Sequence, residues 1–332
     1  MRFGAWAAGC AALLALAGCR SNTAAPAAGG PKADAGQEYY LIAISTGVPY
    51  WADSRKGFED RARQLGVQGV FTGPQDFDPA AQASQLDQII TKRPAGIILV
   101  PADAAALQPG IDRAVAQGIP VLCMDTDSPQ SKRLGYVGTQ NYEAGRVVGR
   151  LLAERMGGKG AVGVSRLIGQ LNIEERYRGV RDEIARHPGM RIVAEANDKA
   201  DPVEAARANS AMLAAHPELE GVVGLDGCSG SGIARSVIEA GKKGKIRIVC
   251  FDRDEDMLGY IEDGTIDASV AQKSYLMAWT ALTYLHALAN GSIPHLADWR
   301  AAQAPPVPSN VDTGTMVIDQ RNAAQFRHAP AG

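Results

Sequence analysis

The chain has 332 residues, with 34 Lys and Arg against 36 Asp and Glu, for a formal charge of −2. The two signs are interspersed, so there is no basic face of the kind a nucleic-acid partner needs; the most basic stretch, Lys242 to Arg247, reads as a solvated loop between a helix and a strand. Beyond a biased N-terminal segment, about 290 residues remain, enough for two domains of ordinary size.

Arg2 gives a positive start, an Ala- and Leu-rich run follows, and Leu16, Ala17, Gly18 and Cys19 close it. The run is shorter than the ~20 residues of a spanning helix. Leu-Ala-Gly-Cys resembles the bacterial lipobox, which implies a signal peptide over residues 1–18 and a lipid on Cys19; the plainer alternative is a cleaved signal with an incidental cysteine. Residues 19–38 hold almost no large apolar side chain and read as a flexible tether reaching roughly 25 Å. Cys10 leaves with the signal. Cys123, Cys228 and Cys250 show no metal-ligand spacing, and a Cys228–Cys250 bridge stays open.

Residues 39–45 open the folded part as a strand. Pro49 suits the start of a helix, whose buried stripe is Trp51, Phe58, Ala62 and Leu65 and whose end is Gly66. A strand over 67–71 and a helix from about Asp78 to Lys92 follow. Residues 96–100 are large and apolar without alternation, as in a parallel strand covered on both faces. Asp103 caps the next helix, with Leu107, Ile111, Ala114 and Val115 on its inner stripe; Gly118 stops it, and residues 119–124 form another buried strand. This is a β-α-β unit within a doubly wound sheet. From Asn141 the pattern repeats, with strands near 161–167, 191–196, 221–225 and 246–251 and helices starting near Asn141, Ile173, Pro202, Gly230 and Asp254. Ligands of such sheets bind outside the carboxyl ends of the strands, where Asp125, Asp127, Asp226 and Asp252 fall.

The strand, P-x-D, helix and G-I-P-V series of residues 96–125 resembles the ribose-binding-protein type of periplasmic substrate-binding protein. Further segments agree in order: STGVPYW (45–51), YVGTQNYEAGR (136–146), ERYRG (175–179), HPELEGVVGLDG (216–227), IVCFDRDEDML (248–258) and DGTIDASVAQ (263–272). The resemblance covers about residues 39–320. It implies an α/β fold of two doubly wound, Rossmann-like lobes joined by three hinge crossovers, a periplasmic binding protein of type I. The lobes would be 39–138 plus 273–312 and 139–272 plus 313–332, with the helix after Lys273 returning to the first lobe. The implied function is capture of a monosaccharide or polyol for the membrane subunits of an ABC importer, by a monomeric lipoprotein held at the periplasmic membrane or cell envelope, with no cofactor, metal or catalytic residue.

A sugar presents an apolar face, which suits an aromatic ring, and a rim of hydroxyls, which suits carboxylates, amides and guanidinium groups. Tyr50 and Trp51 match the family's stacking aromatics, although Trp51 also belongs to the buried stripe with Phe58. Asp125 and Asp252 end one strand in each lobe and are expected to accept from hydroxyls rather than to cap turns. Asp127 and Asp226 follow by the same logic. Arg176 matches a ligand-donating arginine and Gln272 a hinge-side glutamine. The chain departs from the pattern at Val48, Thr126, Ala200 and Asp226, where the family has an asparagine, an arginine, an aromatic residue and an asparagine. Lost donors and an added acid argue against ribose itself.

Three other functions share part of this pattern. An enzyme finds little support: the G-x-G-x-x-G of residues 158–163 precedes a strand instead of following one, and no His or Cys stands beside the cleft acids at a known spacing. A transcription regulator of this fold needs a basic helix-turn-helix where the tether lies. A sensor that shows its closed form to a membrane receptor shares the binding chemistry and differs only in partner.

Overall fold

The computed structural model describes residues 36–293, 304 and 306–327; the expected signal peptide, Cys19 and most of the tether lie outside them. The first lobe runs β1 (Glu38–Ile42), α1 (Trp51–Leu65), β2 (Gln68–Thr72), α2 (Pro79–Thr91), β3 (Gly96–Leu99), α3 (Ala104–Ala116), β4 (Val121–Met124) and β5 (Gly135–Gly138). The helix ends have local causes. Asp78 accepts from the Ala81 N–H at 2.9 Å and Asp103 from that of Ala106 at 2.7 Å, each satisfying an amide that the first turn leaves open. Gly66, at φ 70°, closes α1. β3 and β4 are buried at every position, because helices cover both sheet faces.

The second lobe follows with α4 (Asn141–Met156), β6 (Lys159–Arg166), α5 (Leu171–Ile184), β7 (Gly189–Asn197), α6 (Pro202–Ala215), β8 (Leu219–Gly224), α7 (Ser229–Glu239), β9 (Arg247–Phe251), α8 (Glu255–Glu262) and β10 (Ala268–Gln272). The chain then returns through α9 (Ser274–Ala289) and β11 (Asn310–Asp312) before β12 (Thr315–Ile318) and α10 (Ala323–Phe326). Among the described residues the strand orders are β11-β5-β4-β3-β1-β2 and β12-β10-β9-β8-β6-β7, six strands in each sheet. All pairings are parallel except β10 with β12. Each sheet carries an apolar cluster on either face. The fold is thus two α/β lobes of the same winding.

The chain passes from sheet to sheet after β5, after β10 and after β11, and these passages are bonded to one another. The Thr313 N–H and hydroxyl both donate to the Gly138 carbonyl, at 2.9 and 3.1 Å, and the Gln140 N–H donates to Asp312 at 3.2 Å. α9 lies on α1 in the first lobe, where a Cβ at Gly57 would collide with the Tyr275 carbonyl. The second lobe has the matching contact: a Cβ at Gly145 of α4 would collide with the Arg176 carbonyl of α5. Gly145→Ala is therefore expected to destabilise the protein by about 1–3 kcal/mol through overpacking. A lowered urea midpoint with an unchanged slope would show it; an unchanged midpoint would mean that the helices do not need this close approach.

Candidate functional site

β4 and β9 are each followed directly by an aspartate with left-handed backbone, Asp125 at φ 63° and Asp252 at φ 68°. Few residues other than glycine adopt this conformation, and Asp is among those that do. The two ends are built alike. Asp125 donates its N–H to Val137 of β5, and Asp252 donates to Val270 of β10, both at 3.1 Å. The Asp125 carbonyl accepts from the Tyr136 hydroxyl at 2.7 Å, and the Asp252 carbonyl accepts from Ser269 at 2.5 Å. With the backbone so fastened, each carboxylate is turned off its strand toward the space between the lobes, and both are almost fully buried.

Side chains from both lobes converge there. The Tyr50 hydroxyl, just before α1, donates to Asp125 Oδ2. From the second lobe, Asn172 Nδ2 reaches Asp125 Oδ1 at 3.5 Å. Arg176, one turn further along α5, is 1% exposed. Its Nε donates to Asn141 at 2.9 Å, its Nη1 to the Leu225 carbonyl at 2.8 Å, and its guanidinium lies 4.2 Å from the centre of the Phe251 ring. Nη2 is buried without a partner. Gln272 donates to Asp252 Oδ1 at 3.1 Å and accepts from Thr139 at 3.0 Å, so it ties the site to the first two crossovers.

The remaining expected residues are otherwise engaged. Trp51 is buried in the first-lobe core, edge-on to Tyr50 with ring centres 4.8 Å apart. It also borders an open hollow of about 520 Å³ formed with Val48, Arg55 and Phe71 of the same lobe. Asp127 is gripped by the Arg133 guanidinium and accepts the Ser128 N–H. Asp226 accepts from the backbone of Leu167 with Oδ2, at 3.0 Å, and of Cys228 and Ser229 with Oδ1, at 2.9 and 3.1 Å, holding the start of α7 against the β6–α5 loop. Behind it the fully buried Asp198 accepts from Ser229 at 2.6 Å; burial first, then the Asp226 carboxylate, raises the Asp198 pKa. Cys123, Cys228 and Cys250 are buried free thiols. Asn172 and Asn141 escaped the sequence reading, although Asn172 precedes Arg176 by the four residues that put two side chains on one helix face.

Burial dominates the electrostatics. It pushes the Asp252 carboxyl up to about 6; the Arg176 charge and the Gln272 hydrogen bond oppose the rise, while Asp125 and Asp226 add to it. Asp125 is raised in the same way, with Arg176, Tyr50 and Thr126 opposing. Tyr50 is raised well above the usual phenol range by burial and the two aspartates. Two buried acids and an unpartnered guanidinium nitrogen can together both accept from and donate to a small polar ligand. At the rim, Arg253 of the second lobe pairs with Asp53 of α1 at 2.7 Å and is braced by the Phe326 carbonyl at 3.2 Å.

Residues 39–293 match the family described as periplasmic binding protein domain. The chain belongs to the periplasmic binding protein family. Among its relatives, the D-allose-binding periplasmic protein of Escherichia coli is 26% identical over 248 residues, covering 72% of this chain and 80% of that protein. The xylitol-binding protein of Mycolicibacterium smegmatis is 27% identical, covering 72% of this chain and 68% of that one. A sugar-binding protein of a Bacillus halodurans sugar ABC transporter aligns with a TM-score of 0.80 at 32% identity, covering 87% of this chain and 99% of its own. A solute-binding protein from Burkholderia graminis in complex with D-arabinose gives 0.82 at 26% identity, covering 88% and 99%.

In this family member Asp252 makes a further prediction. Its carboxyl titrates near 6 when folded against an ordinary 3.8. Between those values the folded protein keeps a proton that the unfolded chain has lost, so stability falls as pH rises through the window, by roughly 3 kcal/mol in all. Asp252→Asn should remove that fall, leaving the ligand-free variant more stable than wild type at pH 7 and nearly level with it at pH 4. Urea midpoints at the two pH values check it; a difference independent of pH would contradict it.

Proposed function

We propose that this chain is an extracytoplasmic substrate-binding protein that captures a monosaccharide or polyol between its lobes and presents the closed form to an ABC importer. The observation that carries this reading is the buried, unpartnered Nη2 of Arg176, whose charge acts on the buried carboxylates of both Asp125 and Asp252. An unmet buried donor costs about 1–3 kcal/mol, a cost that a ligand oxygen removes. Hydroxyls accept and donate at one atom, so a ring or chain of them can serve guanidinium and carboxylates together. In this reading Tyr50, Asp125, Arg176, Asp252 and Gln272 hold the ligand, while Asp127 and Asp226 fix the loops around it. The cleft acids bind and carry out no chemistry. Relatives named for D-allose and xylitol, and a neighbour in complex with D-arabinose, support the ligand class.

Closure follows from where these groups sit. Tyr50 and Asp125 come from one lobe; Arg176, Asp252 and Gln272 come from the other. Ligand contacts are complete only when the lobes meet, and the ligand shifts the open–closed equilibrium by that difference in affinity. Moving from mostly open to mostly closed takes ~5.5 kcal/mol, within reach of two or three charged hydrogen bonds at ~1.5–3 kcal/mol each. Calorimetry with D-ribose, D-allose, D-arabinose, D-tagatose and xylitol should find a binder, and X-ray scattering at its saturation should give a smaller radius of gyration. No heat from any of the five would remove the ligand class, and an unchanged radius at saturation would remove the closure.

We further propose that Cys19 carries the membrane anchor. Intact mass of protein extracted from its native envelope should show a lipid on an N-terminal Cys19, and Cys19→Ser should abolish it. An unmodified Cys19 in the wild-type protein would end this reading.

A further inference from the structure

We propose that Asn172 is a ligand-contacting residue that selects for a hydroxyl at one position of the bound molecule. The proposal rests on the sugar or polyol reading above. Asn172 is the second residue of α5 and is 6% exposed. Its Oδ1 accepts from the Ile173 N–H at 3.0 Å, in the first turn where helix amides lack internal partners. That bond fixes which way round the amide lies, so both Nδ2 hydrogens face away from the helix backbone. The group Nδ2 meets is Asp125 of the opposite lobe, at 3.5 Å, the outer limit for a hydrogen bond.

A donor-only nitrogen thus faces an acceptor-only carboxylate across the cleft. One small group satisfies both: a hydroxyl accepts from Asn172 through its oxygen and donates its hydrogen to Asp125. A hydroxyl oxygen bonded to both at ordinary lengths holds them about 4.5 Å apart. The lobes would then close on the ligand to a spacing about 1 Å wider at this point than the 3.5 Å between Asn172 and Asp125 here. A methylene in that place leaves both groups unmet, and an ammonium cannot accept from Nδ2. Arg176 lies on the same helix face, with its Nη2 available for a second ligand oxygen. Two other contacts hold the α5 start in place: Glu174 accepts the Gly169 N–H at 2.8 Å, and Asp226 accepts the Leu167 N–H at 3.0 Å. The position of Asn172 therefore does not depend on the ligand.

The test uses the full chain, the tightest binder among D-ribose, D-allose, D-arabinose, D-tagatose and xylitol, and the monodeoxy analogues of that binder. In wild type, one analogue should lose affinity to a degree that Asn172 explains. Asn172→Leu, close in size but without donors, should weaken the parent compound about tenfold or more. It should leave that one analogue little changed and keep the penalties of the others. Asn172→Ser, which keeps a smaller polar group, should show the same pattern if the leucine variant fails to fold. An equal loss for the parent and every analogue would mean a structural role, and no loss would mean no contact; either overturns the assignment. If wild type binds none of the five, the sugar reading falls and this assignment falls with it. If wild type binds but the variants match it, only the assignment falls.

Discussion

Two aspartates held at positive φ organise this molecule. Left to local preference, an acid after a parallel strand caps the next helix, as Asp78, Asp103, Asp201 and Asp254 do here. Asp125 and Asp252 are withheld from that role by their left-handed backbone, at a cost of order 1–3 kcal/mol each. Neighbouring strands hold each of them there. Each N–H is taken by the adjacent strand, and each carbonyl is covered by a hydroxyl, from Tyr136 in one lobe and Ser269 in the other. The same geometry is reached with an aromatic in one case and a serine in the other. Together with their burial, this leaves two carboxylates whose charge the protein alone does not fully meet.

The hinge is part of the same arrangement. Gln272 is the last residue of β10, beside a crossover, and its amide links Thr139 of another crossover to the Asp252 carboxylate. A rotation at the crossovers must disturb this chain of bonds, and a ligand that engages Asp252 acts on the segments about which the lobes turn. The third crossover is drawn in through Thr313 and the Gly138 carbonyl. The cleft and the crossovers thus meet in the Gln272–Asp252 bond.

Much of the fold was legible from residues 96–124 alone, because a fully buried parallel strand has a distinctive run of large apolar residues and its helix has a visible cap. β5, β10 and β11 were not read as strands. β5 is four residues with glycine at both ends, β10 is built of small residues, and β11 pairs only with β5. Within the cleft, Tyr50, Asp125, Arg176, Asp252 and Gln272 stand out by strand-end position and resemblance; Tyr50 is bonded to Asp125 and Gln272 to Asp252, and the Arg176 charge acts on both acids. Asp127 and Asp226 satisfied the same positional rule, yet their oxygens belong to Arg133 and to the backbone at α7. Strand-end position tells which way an acid can face; it does not tell which cation or amide will reach it first. Asn172 was missed for the complementary reason: its partner lies on the other lobe, 47 residues away in sequence.

The rim pair of Asp53 and Arg253 bears on the surroundings in which such a protein works. It joins the lobes only while they touch, and both side chains keep contact with water, at 31% and 21% exposure. Pairs of this kind contribute about 0–1 kcal/mol and are screened by dissolved ions, with a Debye length of about 8 Å at 0.15 M. That contribution belongs to the shut form alone. Affinity for a compound with no charge of its own thereby acquires a dependence on ionic strength, so that dilute surroundings tighten the grip and saline ones loosen it.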